Sequence, residues 1–173
     1  KKSAKVVDLW PKPPDYKLKH EIDFSSLDRV IFRSAQLTKK DVLDYYDKVS
    51  VYLLPWLKDR PLVIRLYRDG HQGVANTTPE ALAKTSAQEI PEWIQSSTAG
   101  KRNTKEQLLL CNDKEHLLFY VQMGCVEFHA CHSRLKSLDS PDYIVLAIES
   151  REYELVKAVE VALAAREIFT ALQ

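Results

Sequence analysis

Two residues in the second half of the chain, Glu127 and His129, have side chains suited to contact a phosphate or a metal ion. They stand two positions apart in the segment Cys125–Ala130, where polar and apolar residues alternate as in a strand with one buried face. Both side chains therefore share a face, and a histidine there could bind a phosphate oxygen or help to hold a metal. The structural alternative is a histidine that only makes hydrogen bonds within the fold.

Glu149 is a second candidate because it follows the apolar run Tyr143–Ile148, which predicts a buried strand. A carboxylate at a strand end offers the hard oxygen ligand that Mg²⁺ and Mn²⁺ prefer. Glu149 can equally be a plain carboxylate beside the N-terminus of a helix capped by Ser150.

The three cysteines, Cys111, Cys125 and Cys131, lack the dense spacing of a disulfide framework. Zinc sites use paired ligands, whereas strand alternation places Cys125 on the face of His129 and sends His132 to the opposite face. We therefore expect buried thiols in a reducing cytoplasm rather than a zinc centre.

Lys39 and Lys40 lie at a predicted helix start, where basic side chains and backbone amides could bind an anion. Thr38 and Asp41 have the spacing of a capping box, and apolar residues then recur at helical intervals as far as Pro55. Free N–H groups in the first turn of a helix favour an anion. The alternative is that both lysines belong to an ordinary solvated helix start.

The rest of the chain predicts strands and helices that mix without strict alternation, an α/β or α+β layered fold. Strands are predicted over residues 29–32, 61–67, 107–111, 125–130 and 143–148. Helices are predicted to start after Thr38, at Pro91, after Asp113 and after Ser150, with a long polar loop over residues 71–86. The last helix would bury a stripe formed by Leu155, Val159 and Leu163.

Composition indicates an ordinary globular chain, with 45% hydrophobic and 28% charged residues among 173. The net charge is +1, but basic residues concentrate in residues 1–20 and 29–68, which permits one basic face. No run reaches the ~20 apolar residues of a membrane span, and no signal peptide is evident. We expect a basic, proline-containing flexible leader over residues 1–20, a domain over residues 21–173, and a cytoplasmic location.

Several segments stand in an order and spacing that are specific as a set: DRVIF at 28–32, LTKKDVLDYYDKVSVYLLPWLKDRPLVIRLYRDG at 37–70, PEWI at 91–94, VEFH at 126–129, SR at 133–134 and PD at 141–142. Together they resemble the polymerase domain of bacterial ligase D. That domain belongs to the archaeo-eukaryotic primase superfamily and serves double-strand break repair by end joining. The resemblance implies a primase-like mixed sheet flanked by helices.

The resemblance also implies roles for residues at matching positions. Arg29 and Lys39 would bind the 5′-phosphate of a DNA end, and Lys40 would add charge there. His129 and Arg65 would bind an incoming nucleotide. Glu149 would serve catalysis and metal binding, with His129 as a further metal ligand. The metal implied is Mn²⁺ or Mg²⁺, bound in the family by the aspartates of an Asp-Leu-Asp-Pro motif. Arg134 would meet a phosphate or Asp142.

Two departures from the family bear on catalysis. The Asp-Leu-Asp-Pro motif reads Ala-Ile-Glu-Ser at residues 147–150, and an aromatic-aromatic-Gln-Lys segment is not recognisable between Gly73 and Pro91. The family's Ser-Gly-x-x-Gly-x-His strand and later aspartate do not occur in the sequence. The chain therefore resembles the N-terminal part of such a domain, with its metal motif altered.

Three functions follow as hypotheses. The first is a DNA-end-binding module for non-homologous end joining, impaired or incomplete for nucleotide addition, with an ATP-dependent DNA ligase and an end-binding Ku-type protein as partners. The second is an active nucleotidyltransferase that uses Mn²⁺ or Mg²⁺ when a further segment completes it. The third is a non-catalytic protein-interaction scaffold.

Overall fold

The computed structural model describes residues 17–67, 74–76, 78–85, 89–94, 96–99, 106–149 and 155–172. The chain divides into two compact units, Lys1–Asp142 and Tyr143–Gln173. Within the described ranges, no helix combines the length and the apolar composition needed to cross a membrane.

The described part of the first unit consists of short strands and three α-helices. The strands are β1 (Val30–Phe32), β2 (Leu37–Thr38), β3 (Leu62–Leu66), β4 (Val74–Asn76), β5 (Ser96–Ala99), β6 (Glu106–Leu109) and β7 (Cys125–Ala130). The helices are α1 (Lys39–Leu57), α2 (Pro79–Thr85) and α3 (Lys114–Gln122), with a short 3₁₀ helix at Leu135–Ser137. β1 pairs with β2, and the other strands form a sheet of order β4-β3-β6-β5, with β7 paired to β3. The predicted α/β class is confirmed, and every pairing among the described strands is antiparallel.

β3 is the central strand because β4, β6 and β7 all pair with it. Its pairing with β7 extends along its whole length. Arg65 lies opposite Glu127, but the register then shifts so that Leu66 lies opposite Cys125. Val126 is thus the extra residue of a β-bulge, which turns Cys125 towards the core while Glu127 stays on the outer face. The prediction that Cys125 shares the face of His129 is therefore wrong.

The hydrophobic core lies where β3 and β7 pack against α1 and α3. Ile64, Leu117 and Tyr120 are completely buried there. A fully buried leucine or isoleucine side chain contributes roughly 1.5–3 kcal/mol to folding. The Tyr46 hydroxyl, on α1, donates to the bulged Val126 carbonyl at 2.7 Å, so the bulge does not leave that acceptor unpaired.

The start of α1 confirms the predicted capping box. The Asp41 backbone N–H donates to Thr38 Oγ1 at 3.3 Å, and the Thr38 backbone N–H donates to Asp41 Oδ2 at 2.7 Å. Hydrogen bonds from the Thr38 side chain and backbone lower the pKa of Asp41. The helix continues past Pro55 to Leu57, although Pro55 has no N–H to donate to the carbonyl four residues earlier.

A buried carboxylate at the start of α3 holds the segment that precedes β1. Glu115 is 1% exposed, accepts a hydrogen bond from the Lys19 backbone N–H, and lies 2.5 Å from His20 Nδ1. Burial by itself would raise the pKa of Glu115, but the hydrogen bonds from Lys19 and His20 lower it. Trp93 stacks on the His20 ring with centroids 4.7 Å apart, which completes the attachment.

Two loop and helix predictions in the first unit are wrong. Residues 71–86 contain β4 and α2; the Thr78 hydroxyl accepts from the Ala81 N–H, and Leu82 is completely buried. Only a turn follows Pro91, where the Ile94 N–H donates to the Pro91 carbonyl at 3.0 Å. In the first case a cap and one buried leucine order a short helix within a polar sequence.

The second unit contains α4 (Leu155–Ala171) and the extended segment 143–149. The predicted buried strand over residues 143–148 is wrong, because these residues form no strand and Ile144 and Val145 are 67% and 68% exposed. The stripe predicted to be buried on α4 is also exposed, with Leu155 at 74% and Val159 at 47%. An apolar run shows that burial would be favourable, but burial also needs a surface that covers the run. The predicted cap, Ser150, lies outside the described residues.

We predict that Thr38→Ala lowers the free energy of unfolding by about 1 kcal/mol, because it removes the hydroxyl that caps α1. Urea denaturation followed by circular dichroism measures this. Thr38→Ser keeps the hydroxyl and is expected to retain most of the stability. Equal losses in both variants would contradict a capping role.

Candidate phosphate- and nucleotide-binding sites

The start of α1 brings Arg29 and Lys39 together. The Lys39 backbone N–H donates to the Arg29 carbonyl at 2.8 Å. The Lys39 side chain is 7% exposed, and its ammonium donates to the Ser25 carbonyl at 3.0 Å. Arg29 is exposed beside it. The loop from Ser25 to Arg29 thus wraps around the helix start and sets one outer and one inner cation side by side.

The surroundings of the inner cation, Lys39, disfavour its charged form. Burial and the positive charge of Arg29 lower the pKa of the Lys39 ammonium to about 8, although Asp23 acts in the opposite direction. An ammonium normally stays charged to higher pH because water stabilises it. At neutral pH Lys39 is therefore still mainly charged, in surroundings that compensate its charge incompletely.

The backbone N–H groups at the start of α1 do not face a ligand, contrary to the prediction. The N–H groups of Lys39, Lys40 and Asp41 donate, respectively, to the Arg29 carbonyl, the Leu27 carbonyl and the Thr38 hydroxyl. The preceding loop satisfies these donors. An anion bound here would be held by side chains.

Lys40 lies on the exposed side of the same helix turn. Its side chain is 60% exposed, and its ammonium forms an i,i+4 ion pair with Asp44 at 2.7 Å. The hydrogen bond that Lys40 donates to Asp44, and the negative charge of Asp44, raise the pKa of Lys40. Exposed ion pairs of this kind are weak, so Lys40 can exchange Asp44 for another anion at little cost.

A second polar cluster covers the outer face of the β3–β7 pair, where Glu127 contacts three neighbouring side chains. The Tyr67 hydroxyl donates to Glu127 Oε1, His129 Nε2 lies 3.0 Å from Oε2, and Arg65 Nε lies 3.5 Å from Oε2. The Arg65, Glu127 and His129 side chains are 44%, 40% and 54% exposed. Hydrogen bonds from Tyr67 and His129, and the charge of Arg65, lower the pKa of Glu127.

The backbone around Gly124 builds this cluster. Gly124 ends the turn after α3 with a φ of +98°, which favours glycine, as the sequence predicted for this helix end. Its carbonyl accepts from the Tyr67 N–H at 2.8 Å, which extends the β3–β7 pairing by one step. That pairing sets Arg65 opposite Glu127 and Val63 opposite His129.

The structure thus brings Arg65 together with Glu127 and His129, which the sequence had placed on one strand face, and it adds Tyr67 as a further partner. The signal was present as two polar i, i+2 pairs in neighbouring predicted strands. Only the register could show which residues meet, and a one-residue slip would have separated them.

Arg60 is a buried charged residue that the sequence analysis did not single out. It is 2% exposed, donates through Nη1 to the His132 carbonyl at 2.8 Å, and donates through Nη2 to Asp142 Oδ2 at 2.7 Å. Arg134 Nε donates to the same oxygen at 3.0 Å, which confirms one predicted alternative for Arg134. Hydrogen bonds from Arg60 and Arg134 lower the pKa of Asp142. These contacts fasten the chain after β7 to the start of β3, so Arg60 is structural.

The family model of the LigD primase-polymerase domain matches residues 38–173. The chain belongs to this family. The resemblance drawn from the ordered motifs is thereby confirmed, and with it the fold class.

Two curated LigD relatives show how much of a longer protein the chain covers. The bifunctional non-homologous end joining protein LigD of Bacillus subtilis (strain 168) is 27% identical over 142 residues, which are 82% of this chain and 22% of that protein. The multifunctional LigD protein of Mycolicibacterium smegmatis is 23% identical over 113 residues, 65% of this chain and 14% of that protein. The chain thus spans less than a quarter of either relative.

A solved LigD structure shares the fold. The polymerase domain from Mycobacterium tuberculosis Ligase D, determined in complex with DNA, superposes with a TM-score of 0.57 at 20% sequence identity. The superposition covers 66% of this chain and 38% of that one.

The residues expected to bind Mn²⁺ or Mg²⁺ do not form a prearranged site. In the described part of the chain, no three His, Cys, Asp or Glu side chains lie close enough to hold a metal ion together. Ala147 has no ligand atom, and Glu149 is exposed in the second unit. With Ala147 in the place of one of the family's aspartates, the side-chain donor set for two ions is incomplete, and the ligand roles of Glu149 and His129 stay predictions.

The three cysteine thiols differ in their exposure to solvent. Cys111 and Cys125 are buried, and burial raises the pKa of both, so neither is a reactive thiolate at neutral pH. Cys131 is exposed, contrary to the prediction that all three thiols are buried.

We predict that Lys39 titrates near pH 8 in the folded protein. Because this pKa lies below the ordinary value of 10.5, the unfolded chain binds more protons between these values, and stability rises with pH from about 8 to about 10.5. NMR of ¹³Cε-labelled lysine measures the titration. Arg29→Gln removes the neighbouring charge and is expected to raise the Lys39 pKa. Titration of wild-type Lys39 at its ordinary value would contradict the described surroundings.

Proposed function

We propose that this chain is a DNA-end-binding module of a LigD-type polymerase protein that acts in double-strand break repair by non-homologous end joining. Residues 21–173 form its domain, and the 5′-phosphate of a DNA end binds to Arg29, Lys39 and Lys40. The observation that carries this proposal is the pair formed by exposed Arg29 and buried Lys39, whose pKa falls to about 8.

A phosphate fits this pair for electrostatic reasons. Its oxygens accept a forked hydrogen bond from the exposed Arg29 guanidinium, a geometry that arginine offers and lysine does not. Its charge relieves the repulsion between Arg29 and Lys39, and Lys40 can turn to it from Asp44. Because the first N–H groups of α1 are already satisfied, these side chains carry the recognition.

The names of the relatives support DNA as the source of the phosphate. One is a bifunctional non-homologous end joining protein, and the solved structure is a polymerase domain in complex with DNA. The proposed partners are DNA ends, an ATP-dependent DNA ligase and an end-binding Ku-type protein. The proposed location is the cytoplasm, at the bacterial nucleoid.

We further propose that Arg65 and His129 face the phosphates of an incoming nucleotide and that nucleotide addition is impaired. Ala147 in place of an aspartate and Glu149 on a longer stem support the impairment. A completed enzyme would be a nucleotidyltransferase with Mn²⁺ or Mg²⁺.

A protein-interaction scaffold is the second candidate function. Apolar residues exposed on α4, with Leu155 at 74% and Ile168 at 60%, favour it. Fluorescence anisotropy with a labelled DNA end separates the two functions, since absence of binding at low salt favours the scaffold.

We predict that Lys39→Met and Arg29→Gln each weaken binding to a 5′-phosphorylated DNA end about tenfold, because each loses a charge-assisted contact. Binding to the matching 5′-hydroxyl end is expected to change much less. Fluorescence anisotropy at several salt concentrations measures both, and each lost phosphate contact is expected to flatten the salt dependence.

Lys48→Gln is the matched control, because Lys48 is an exposed lysine on the same helix and is not one of the proposed phosphate ligands. It is expected to affect both DNA ends alike. Equal losses on phosphorylated and hydroxyl ends in the Arg29 and Lys39 variants would disprove a phosphate pocket.

We predict that the double variant Ala147→Asp with Glu149→Asp raises Mn²⁺- or Mg²⁺-dependent nucleotide addition at least about tenfold over the wild-type chain, because it restores both carboxylates of the family motif. Primer extension on a DNA end measures the rate, and Glu149→Asp alone is the control. An unchanged rate would argue against a retained active site.

A further inference from the structure

We infer that Glu127 is a built-in competitor for phosphate at the Arg65–His129 site: its carboxylate occupies the place of an incoming phosphate and must move before a polyphosphate binds. This inference rests on the proposed nucleotide-binding role of Arg65 and His129. It adds a residue, Glu127, that sets the affinity of that site.

The contacts of Glu127 are those that a bound phosphate would make. One of its oxygens, Oε2, lies 3.0 Å from His129 Nε2 and 3.5 Å from Arg65 Nε. The other oxygen accepts from the Tyr67 hydroxyl. A carboxylate and a phosphate both present charged oxygen acceptors, so they compete for the same donors.

Leaving Glu127 in place while a polyphosphate binds is unfavourable. Its negative charge would then stand within a few ångströms of several phosphate charges, and like charges at that distance repel. The shared oxygen also blocks the approach to His129 from the side of Arg65. Binding therefore requires the carboxylate to turn away, and that step lowers the observed affinity.

The position of Glu127 makes this displacement feasible. The β3–β7 pairing fixes its backbone opposite Arg65, whereas its side chain is 40% exposed and has water to turn into. Arg65 and His129 are also about half exposed, so their pairs with Glu127 are screened by solvent and weak.

The test measures binding of inorganic tripolyphosphate and of ATP to the whole chain by isothermal titration calorimetry, with EDTA present. Glu127→Gln keeps the shape and removes the charge, and is expected to bind both probes about three- to tenfold more tightly than wild type. Glu92→Gln is the matched control, because Glu92 is exposed on a turn outside the cluster; it should leave the affinity unchanged. The double variant Arg65→Gln with Glu127→Gln should lose the gain.

Three outcomes decide the matter. Tighter binding by Glu127→Gln that depends on Arg65 supports the inference. Wild-type binding with equal or weaker binding by Glu127→Gln overturns it and leaves the nucleotide site standing. Absence of binding by both proteins overturns the inference together with the nucleotide site, while the 5′-phosphate test still decides the DNA-end role. Should Glu127→Gln unfold, Glu127→Ala gives the same comparison.

Discussion

The pairing of β3 with β7 is the constraint on which the rest of the first unit depends. One face of the pair supplies Ile64, Leu66 and Cys125 to the core, and the other carries the polar cluster. The bulge at Val126 turns Cys125 into the core, while Glu127 and His129 stay paired with β3 on the outer face. The Tyr46 hydroxyl satisfies the bulged carbonyl, which ties α1 to the sheet at the point of irregularity.

The second organising feature is the loop that wraps around the start of α1. It satisfies the first N–H groups of the helix with carbonyls and thereby removes the usual backbone anion site. The same wrapping buries the Lys39 stem and sets Arg29 next to it. At this helix start, the side chains of Arg29 and Lys39 are therefore available to an anion, whereas the backbone N–H groups are not. The buried Glu115 holds the preceding segment through Lys19 and His20.

Features encoded by neighbouring residues could be predicted from the sequence, whereas features set by distant contacts could not. The capping box of Thr38, the cap at Asp113 and the strand over Cys125–Ala130 are local patterns, and all occur. The bulge and the Arg60 contacts depend on residues about sixty or more positions away, which no local pattern records. The apolar run after Asp142 predicted burial from composition alone, but burial needs a partner. For the candidate sites, the sequence named Arg29, Lys39 and Lys40 at the helix start, and Arg65, Glu127 and His129 on the strands. Only the pairing register showed that Arg65 meets Glu127.

Because Arg29 lies next to Lys39, the binding of an anion between them also depends on pH. An anion that arrives between the two side chains favours the charged form of the lysine, so its affinity for protons rises on complex formation. Near pH 8, where half of the free molecules have lost that proton, association draws a fraction of a proton from the buffer. The heat of association then varies with the ionisation enthalpy of the buffer chosen, and the complex weakens under alkaline conditions.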